Sequence, residues 1–81
     1  MLLMSGRRPN TTPELEPFGL HIRALRKAAN LSQEEVAHRA EMDRGYLSGI
    51  ENGKRNPTLT QLLKLAKGLE VNLVDLINYG E

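Results

Sequence analysis

Apolar residues along this chain recur at helical intervals, and no stretch alternates with period two. Phe18, Ile22, Leu25 and Ala29 follow an i, i+4, i+7, i+11 stripe, which predicts a first helix over residues 18–29. Asn30, tolerant of the left-handed region, is positioned to stop it. Val36, Ala37 and Ala40 share one face of a short second helix, and Leu47 with Ile50 gives a third its thin apolar seam. Leu59, Leu62, Leu65, Ala66 and Leu69 draw the buried face of a fourth, with Lys64 and Lys67 on its other side. A fifth, over residues 73–78, has Leu73 and Leu76 to face a core. The pattern predicts an all-α, five-helix bundle.

The helix ends sharpen this reading. Ser32 and Glu35 have capping-box spacing, hydroxyl to the third amide and carboxylate back to the cap. Asp43 is a strong N-cap for the third helix, and its charge suits a helix N-terminus. Asn52-Gly53 supplies the stop. Thr58 with Gln61 repeats the capping box, Pro57 fixes the approach to it, and Asn72 caps the fifth helix. Helices two and three are too short to persist alone. Joined by a turn of about three residues, with small Ala37 where they cross, they make what a DNA-reading helix-turn-helix requires.

Residues 31–54, LSQEEVAHRAEMDRGYLSGIENGK, resemble the helix-turn-helix of phage repressors and Cro proteins, often called XRE-like. The resemblance runs without a gap from about Phe18 to Leu76. It rests on LSQEEVA, on Ile50-Glu51-Asn52-Gly53-Lys54 and on Pro57-Thr58-Leu59. The run DRGYLSGIE, residues 43–51, is similar to the controller proteins of restriction–modification systems. The resemblance implies a phage-repressor-like DNA-binding domain over residues 18–81. It also implies an ion pair between Arg26 and Glu51, and a Gln33 that touches the sugar-phosphate backbone and braces the first residues of helix three. The chain departs from the family at Glu41 and Glu70, where glycine is usual. A side chain in the left-handed region costs about 1–2 kcal/mol, so these departures bear on stability and spare the DNA-facing positions.

Composition changes the picture only modestly. Eighty-one residues allow one small domain, able to bury about 60% of its unfolded surface. With no cysteine there is neither disulfide nor thiolate metal site. Met1-Leu2-Leu3-Met4 is too short for a signal-peptide core and nothing approaches a membrane span, so a cytoplasmic protein is expected. Residues 1–17 hold three of the four prolines and read as a flexible tail, in which Arg7 and Arg8 could form a basic arm. The net charge of +1 does not by itself argue for nucleic acid, so charge placement and the motif must carry that claim.

An enzyme is not expected. His21 and His38, the only histidines, lie on different helices without metal-ligand spacing, His21 flanking the core stripe and His38 facing solvent. Neither Ser32 nor Ser48 has a base beside it in sequence, and no glycine loop follows a strand. No catalytic residue, metal, cofactor or small-molecule ligand is expected. DNA reading needs donors that hold phosphates and side chains that meet base edges. Arg44, Gly45, Tyr46 and Ser48, on the exposed edge of helix three, are the candidates for bases; Gln33, Asn52, Lys54 and Arg55 are those for phosphates. Gly45 permits either a close backbone approach to DNA or simple tolerance, and Gly49 points to close helix packing. Val74, Ile77 and Tyr79, away from the core side of the fifth helix, form the expected homodimer surface. The function expected is a sequence-specific transcription regulator, a homodimer on a pseudo-palindromic double-stranded DNA operator. The alternatives are the antitoxin of a toxin–antitoxin pair and a protein-interaction module that has lost DNA binding.

Overall fold

The computed structural model describes residues 13–79, and these form five helices. They are α1 (Leu15–Ala28), α2 (Gln33–Arg39), α3 (Arg44–Glu51), α4 (Leu59–Leu69) and α5 (Leu73–Ile77), and among the described residues there is no strand. The first helix begins three residues before the expected Phe18. Pro17 falls in its first turn, where the missing N–H has no intrahelical partner to lose. Arg7 and Arg8 lie outside the described residues.

α1 packs on α3 and α5, α2 on α3 and α4, and α4 on α5. Ile22, Val36, Leu47, Ile50, Leu65 and Leu76 meet at the centre with no exposed surface. The approach of α1 to the end of α3 is set by Gly19, where a Cβ would stand 2.5 Å from the Glu51 carbonyl oxygen. Two expected core residues are outside it. Ala29 is exposed, because α1 has already ended and Leu31 packs on the core in its place. Leu59 is exposed too. α4 meets α2 at Gly68, where a Cβ would lie 3.1 Å from Ala40, and Leu59 sits about 14 Å back along the axis.

Four of the helices end alike. Asn30, Glu41, Gly53 and Glu70 take positive φ, and the next residue donates its N–H back into the helix. The pairs are Leu31 to Arg26 (3.2 Å), Met42 to Ala37 (2.9 Å), Lys54 to Gly49 (2.8 Å) and Val71 to Ala66 (3.0 Å), the Schellman arrangement. Leu31, Met42 and Val71 pack against the core from that position. Lys54, the fourth, is exposed. At the end of α3 the site that elsewhere anchors a turn is therefore given to a cation.

The N-termini follow the sequence with two exceptions, at α4 and at α5, where Asn72 makes no side-chain cap bond and only its N–H reaches the Asp75 carboxylate at 3.2 Å. Ser32 and Glu35 form the reciprocal box at 3.0 and 2.8 Å, and Asp43 caps α3 through the Tyr46 N–H at 3.2 Å. Thr58 accepts from the Gln61 N–H at 3.2 Å, but the expected return contact from the Gln61 side chain is not made. Its Oε1 is instead buried without a partner.

Candidate nucleic-acid interface

The position of α3 is fixed by one buried carboxylate. Glu51 ends the helix with its side chain fully covered. Arg26 on α1 grips it with two bonds, Nε to Oε2 at 2.7 Å and Nη2 to Oε1 at 3.0 Å. Gln33 on α2 donates to Oε1 at 3.0 Å, and Arg23 reaches the same oxygen at 3.4 Å. The remaining Arg26 nitrogen donates to the Leu31 carbonyl at 3.0 Å, tying in the turn between α1 and α2. Burial pushes the Glu51 carboxyl's pKa up. The hydrogen bonds from Arg26, Gln33 and Arg23, with the charge of Arg26, outweigh it and hold the group below its ordinary value. The bond to Glu51, working against burial, raises that of the Arg26 guanidinium.

Arg26 and Glu51 thus meet as the family resemblance implied. Gln33 differs from expectation, since its amide braces the last residue of α3 and not the first ones. Arg23 was not anticipated. It lies three residues before Arg26, hence on the same helix face, and that spacing was the available signal.

With Leu47, Ile50 and Glu51 buried, α3 presents its other edge outward. Arg44 and Gly45 are exposed, and Tyr46, Ser48 and Gly49 are half-buried. Gln33, Arg44, Gly45 and Ser48 line one shallow cleft. Gly45, Gly49, Lys54 and Arg55 line a second. Gly45 is common to both, and a Cβ there would meet only the Asp43 carboxylate, at 2.9 Å.

Asn52 is exposed but engaged. Its amide nitrogen turns back to the Ser48 carbonyl at 2.9 Å and hydroxyl at 3.4 Å, and its oxygen accepts from Arg23 at 3.4 Å. It closes the helix end with the donors that a phosphate would need. Gly49 is not a helix-packing glycine as expected, because its neighbour is the Arg55 side chain.

On α5, Val74 and Ile77 face outward, with 63% and 52% of their surface exposed. Tyr79 does not join them as expected. Its ring folds back onto Phe18 and His21, at centroid distances of 5.5 and 5.8 Å. His21 is half-buried and also bonds the Asp75 carbonyl at 2.6 Å through Nε2, so two rings pin α5 to α1. His38 is exposed. Among the described residues no group of three or more His, Cys, Asp or Glu side chains is placed to hold a metal.

Two short helices at a tight turn, seated on three others and turning a polar edge outward, define a helix-turn-helix domain. Residues 22–76 match the helix-turn-helix family, and the chain belongs to it. The control protein C.MunI of a Mycoplasma species is 45% identical over 62 residues, spanning 75% of this chain and 84% of that protein. Among solved structures, the restriction–modification controller protein C.AhdI from Aeromonas hydrophila has a TM-score of 0.79 at 41% identity, covering 82% of this chain and all of its own. C.Esp1396I bound to a 19 base pair DNA duplex gives 0.71 at 37% identity, covering 76% of this chain and 83% of its own.

Proposed function

We propose that this chain is a sequence-specific DNA-binding transcription regulator of the controller-protein kind, acting as a homodimer on a pseudo-palindromic operator. The observation that carries the reading is the two-sidedness of α3. One edge is locked into the core through Glu51, while the other carries Arg44, Gly45 and Ser48 beside Gln33, Lys54 and Arg55. Arg44, in the first turn, reaches base edges in the major groove, where an arginine can give guanine O6 and N7 two hydrogen bonds. Tyr46 and Ser48 supply further contacts, and at Gly45 the backbone can come close. Gln33 at the start of α2, together with Lys54, holds phosphates.

Symmetry doubles the base contacts, which one helix-turn-helix presents in too small a number for a useful specificity ratio. Val74 and Ile77 provide the apolar patch for a two-fold contact, placing the two α3 helices about 34–36 Å apart, one turn of DNA. The chain acts by binding and catalyses nothing. Its place of work is the cytoplasm, where the DNA is; among the described residues no helix is long and apolar enough to cross a membrane.

The test uses the duplex that the wild-type protein selects from a random-sequence library. Arg44→Ala should weaken binding to that duplex by about 1–3 kcal/mol and relax preference at one base pair. Lys54→Ala should weaken binding to all sequences and lower the salt slope by about one unit. Equal losses on selected and random DNA for both variants would refute the division of labour.

A further inference from the structure

Asn52, the C-cap of α3, stands one helical turn beyond Ser48, so the two side chains meet on one face. Its carboxamide is held from both ends. Arg23 Nη2 donates to Oδ1 at 3.4 Å. Nδ2 donates to the Ser48 carbonyl at 2.9 Å and to the Ser48 hydroxyl oxygen at 3.4 Å. These partners admit the amide one way round. A guanidinium only donates and a backbone carbonyl only accepts, so the oxygen of Asn52 faces Arg23 and its nitrogen faces Ser48.

The consequence falls on the hydroxyl. A serine oxygen accepts and its hydrogen donates, so a free serine suits either kind of base atom. With Nδ2 directed at it, Ser48 Oγ is already an acceptor within the protein, and its hydrogen points away from Asn52. Among the described residues the Ser48 side chain enters no other hydrogen bond. It lines the shallow cleft with Gln33, Arg44 and Gly45, on the outward edge of α3. What the hydroxyl presents there is a hydrogen. The major-groove atoms that take one are purine N7, guanine O6 and thymine O4, whereas the amino groups of adenine and cytosine are themselves donors.

We propose that Arg23 and Asn52 form a relay that sets Ser48 as a donor, so that α3 selects an accepting base atom at the pair Ser48 meets. The inference rests on the DNA-reading function proposed above and deepens it. Ser48 is the member that touches DNA. Asn52 and Arg23 are positioning residues, since they act only through its hydroxyl.

The experiment measures binding of the wild type, Ser48→Ala, Asn52→Asp, Arg23→Met and the Ser48→Ala/Asn52→Asp double variant. The probes are the duplex selected by the wild type and its single-base-pair substitutions, in a salt series. Ser48→Ala should keep the salt slope and lose about three- to tenfold of the discrimination at one base pair, the worth of one hydrogen bond. A base analogue that lacks the accepting atom at that pair should weaken the wild type by the same factor and leave Ser48→Ala unaffected. A carboxylate only accepts, so in Asn52→Asp the hydroxyl turns its hydrogen inward and its lone pairs outward. Preference at that pair should then move toward a base that offers an amino group, while the added charge weakens binding to every duplex. In the Ser48→Ala background Asn52→Asp should lower the common affinity and leave the preference at that pair unchanged. Arg23→Met, which frees the carboxamide to turn over, should lose discrimination at the same pair and at no other. Three results would overturn the inference while leaving DNA reading intact: an equal Ser48→Ala loss on every duplex, as a phosphate contact would give; an unchanged preference in Asn52→Asp; or full discrimination by Arg23→Met. A wild type that enriches no sequence would overturn both readings.

Discussion

Removing the Glu51 carboxylate tests how α3 is held. In Glu51→Ala the Arg26 guanidinium loses both of its 2.7–3.0 Å bonds while only 11% of its side chain is exposed. It keeps the Leu31 carbonyl, but that neutral acceptor does not balance the charge. Stranding a buried charge costs about 3–5 kcal/mol. Arg23, 38% exposed at 3.4 Å, adds little, because water replaces Glu51 for it. The Gln33 amide, half-buried, loses one ordinary hydrogen bond worth about 1 kcal/mol. A domain of this size is stable by only about 3–10 kcal/mol, so the variant should be largely unfolded or close to it.

Urea melts followed by circular dichroism measure the loss. At a slope of about 1 kcal/mol per molar, the midpoint should fall by several molar or vanish. Truncating both partners, as Arg26→Met/Glu51→Met, should restore part of the stability by removing the stranded charge. A Glu51→Ala loss under about 1 kcal/mol would refute the buried pair, as would a double variant no better than the single one. The same network sets an acid limit. Because the folded Glu51 pKa lies below its ordinary 4.5, its contribution is complete above that value and is lost as pH falls through the folded one. Stability measured from pH 7 to 3 should therefore decline only below about pH 4.5, and the slope there should be shallower in Glu51→Gln.

Other expectations follow from helix ends and surfaces. Glu41, at φ 56° and exposed, should be replaceable by glycine with a gain of about 0.5–1 kcal/mol, the left-handed strain relieved less the added chain entropy, read as a rise in melting temperature. Gly53, at φ 74°, should not tolerate the reverse: its Cβ would meet Glu16 at 3.0–3.1 Å, so Gly53→Ala should lose about 1–2 kcal/mol or more in the same melts. Ile77→Asp should convert a dimer seen by sedimentation at micromolar concentration into a monomer with unchanged helical circular dichroism. A wild type that sediments as a monomer there would remove α5 as the interface.

Much of the fold was legible because its signals are local. The periodic stripes, the caps at Ser32, Asp43 and Thr58 and the left-handed positions at Asn30, Glu41 and Glu70 all involve residues within about one turn of each other. The misreadings concern reach. Leu59 continues the α4 stripe, but a stripe cannot say where the neighbouring helix ends. Tyr79 was placed outward by helical phase, yet α5 stops at Ile77, so phase no longer governs it and the Phe18 and His21 rings capture it. The site was legible in its membership and less so in its wiring. The Arg26–Glu51 pair came from family resemblance, since no spacing rule links residues 25 positions apart. Gln33 and Asn52 were assigned phosphate partners, and the structure shows in addition an internal bond from each amide, to Glu51 and to Ser48, that the sequence did not signal.

That wiring explains how a chain of net charge +1 can present a cationic edge. A carboxylate at a helix C-terminus opposes the helix dipole, and Glu51 is held there chiefly by Arg26 from α1 and Gln33 from α2. The charge of Arg26 is thereby spent inside, Arg23 is turned toward Glu51 and Asn52 at the surface, and Arg39 is matched by Glu70. Arg44, Lys54 and Arg55, which enter none of these pairs, are gathered on the exposed side of α3 and in the loop that follows it. The acids of α2 sit elsewhere: Glu34 and Glu35 occupy its first turn, where the dipole favours them, and Glu35 is held by the Ser32 cap. Gln33 belongs to both systems, bonding Glu51 while lining the cleft beside Arg44. The orientation of α3 and the placement of its outward side chains are therefore one structural event. A variant that loosens the Glu51 network without unfolding the domain should lose base discrimination before it loses its salt-dependent affinity for DNA, because phosphate contacts tolerate a tilt of α3 that a bidentate base contact does not.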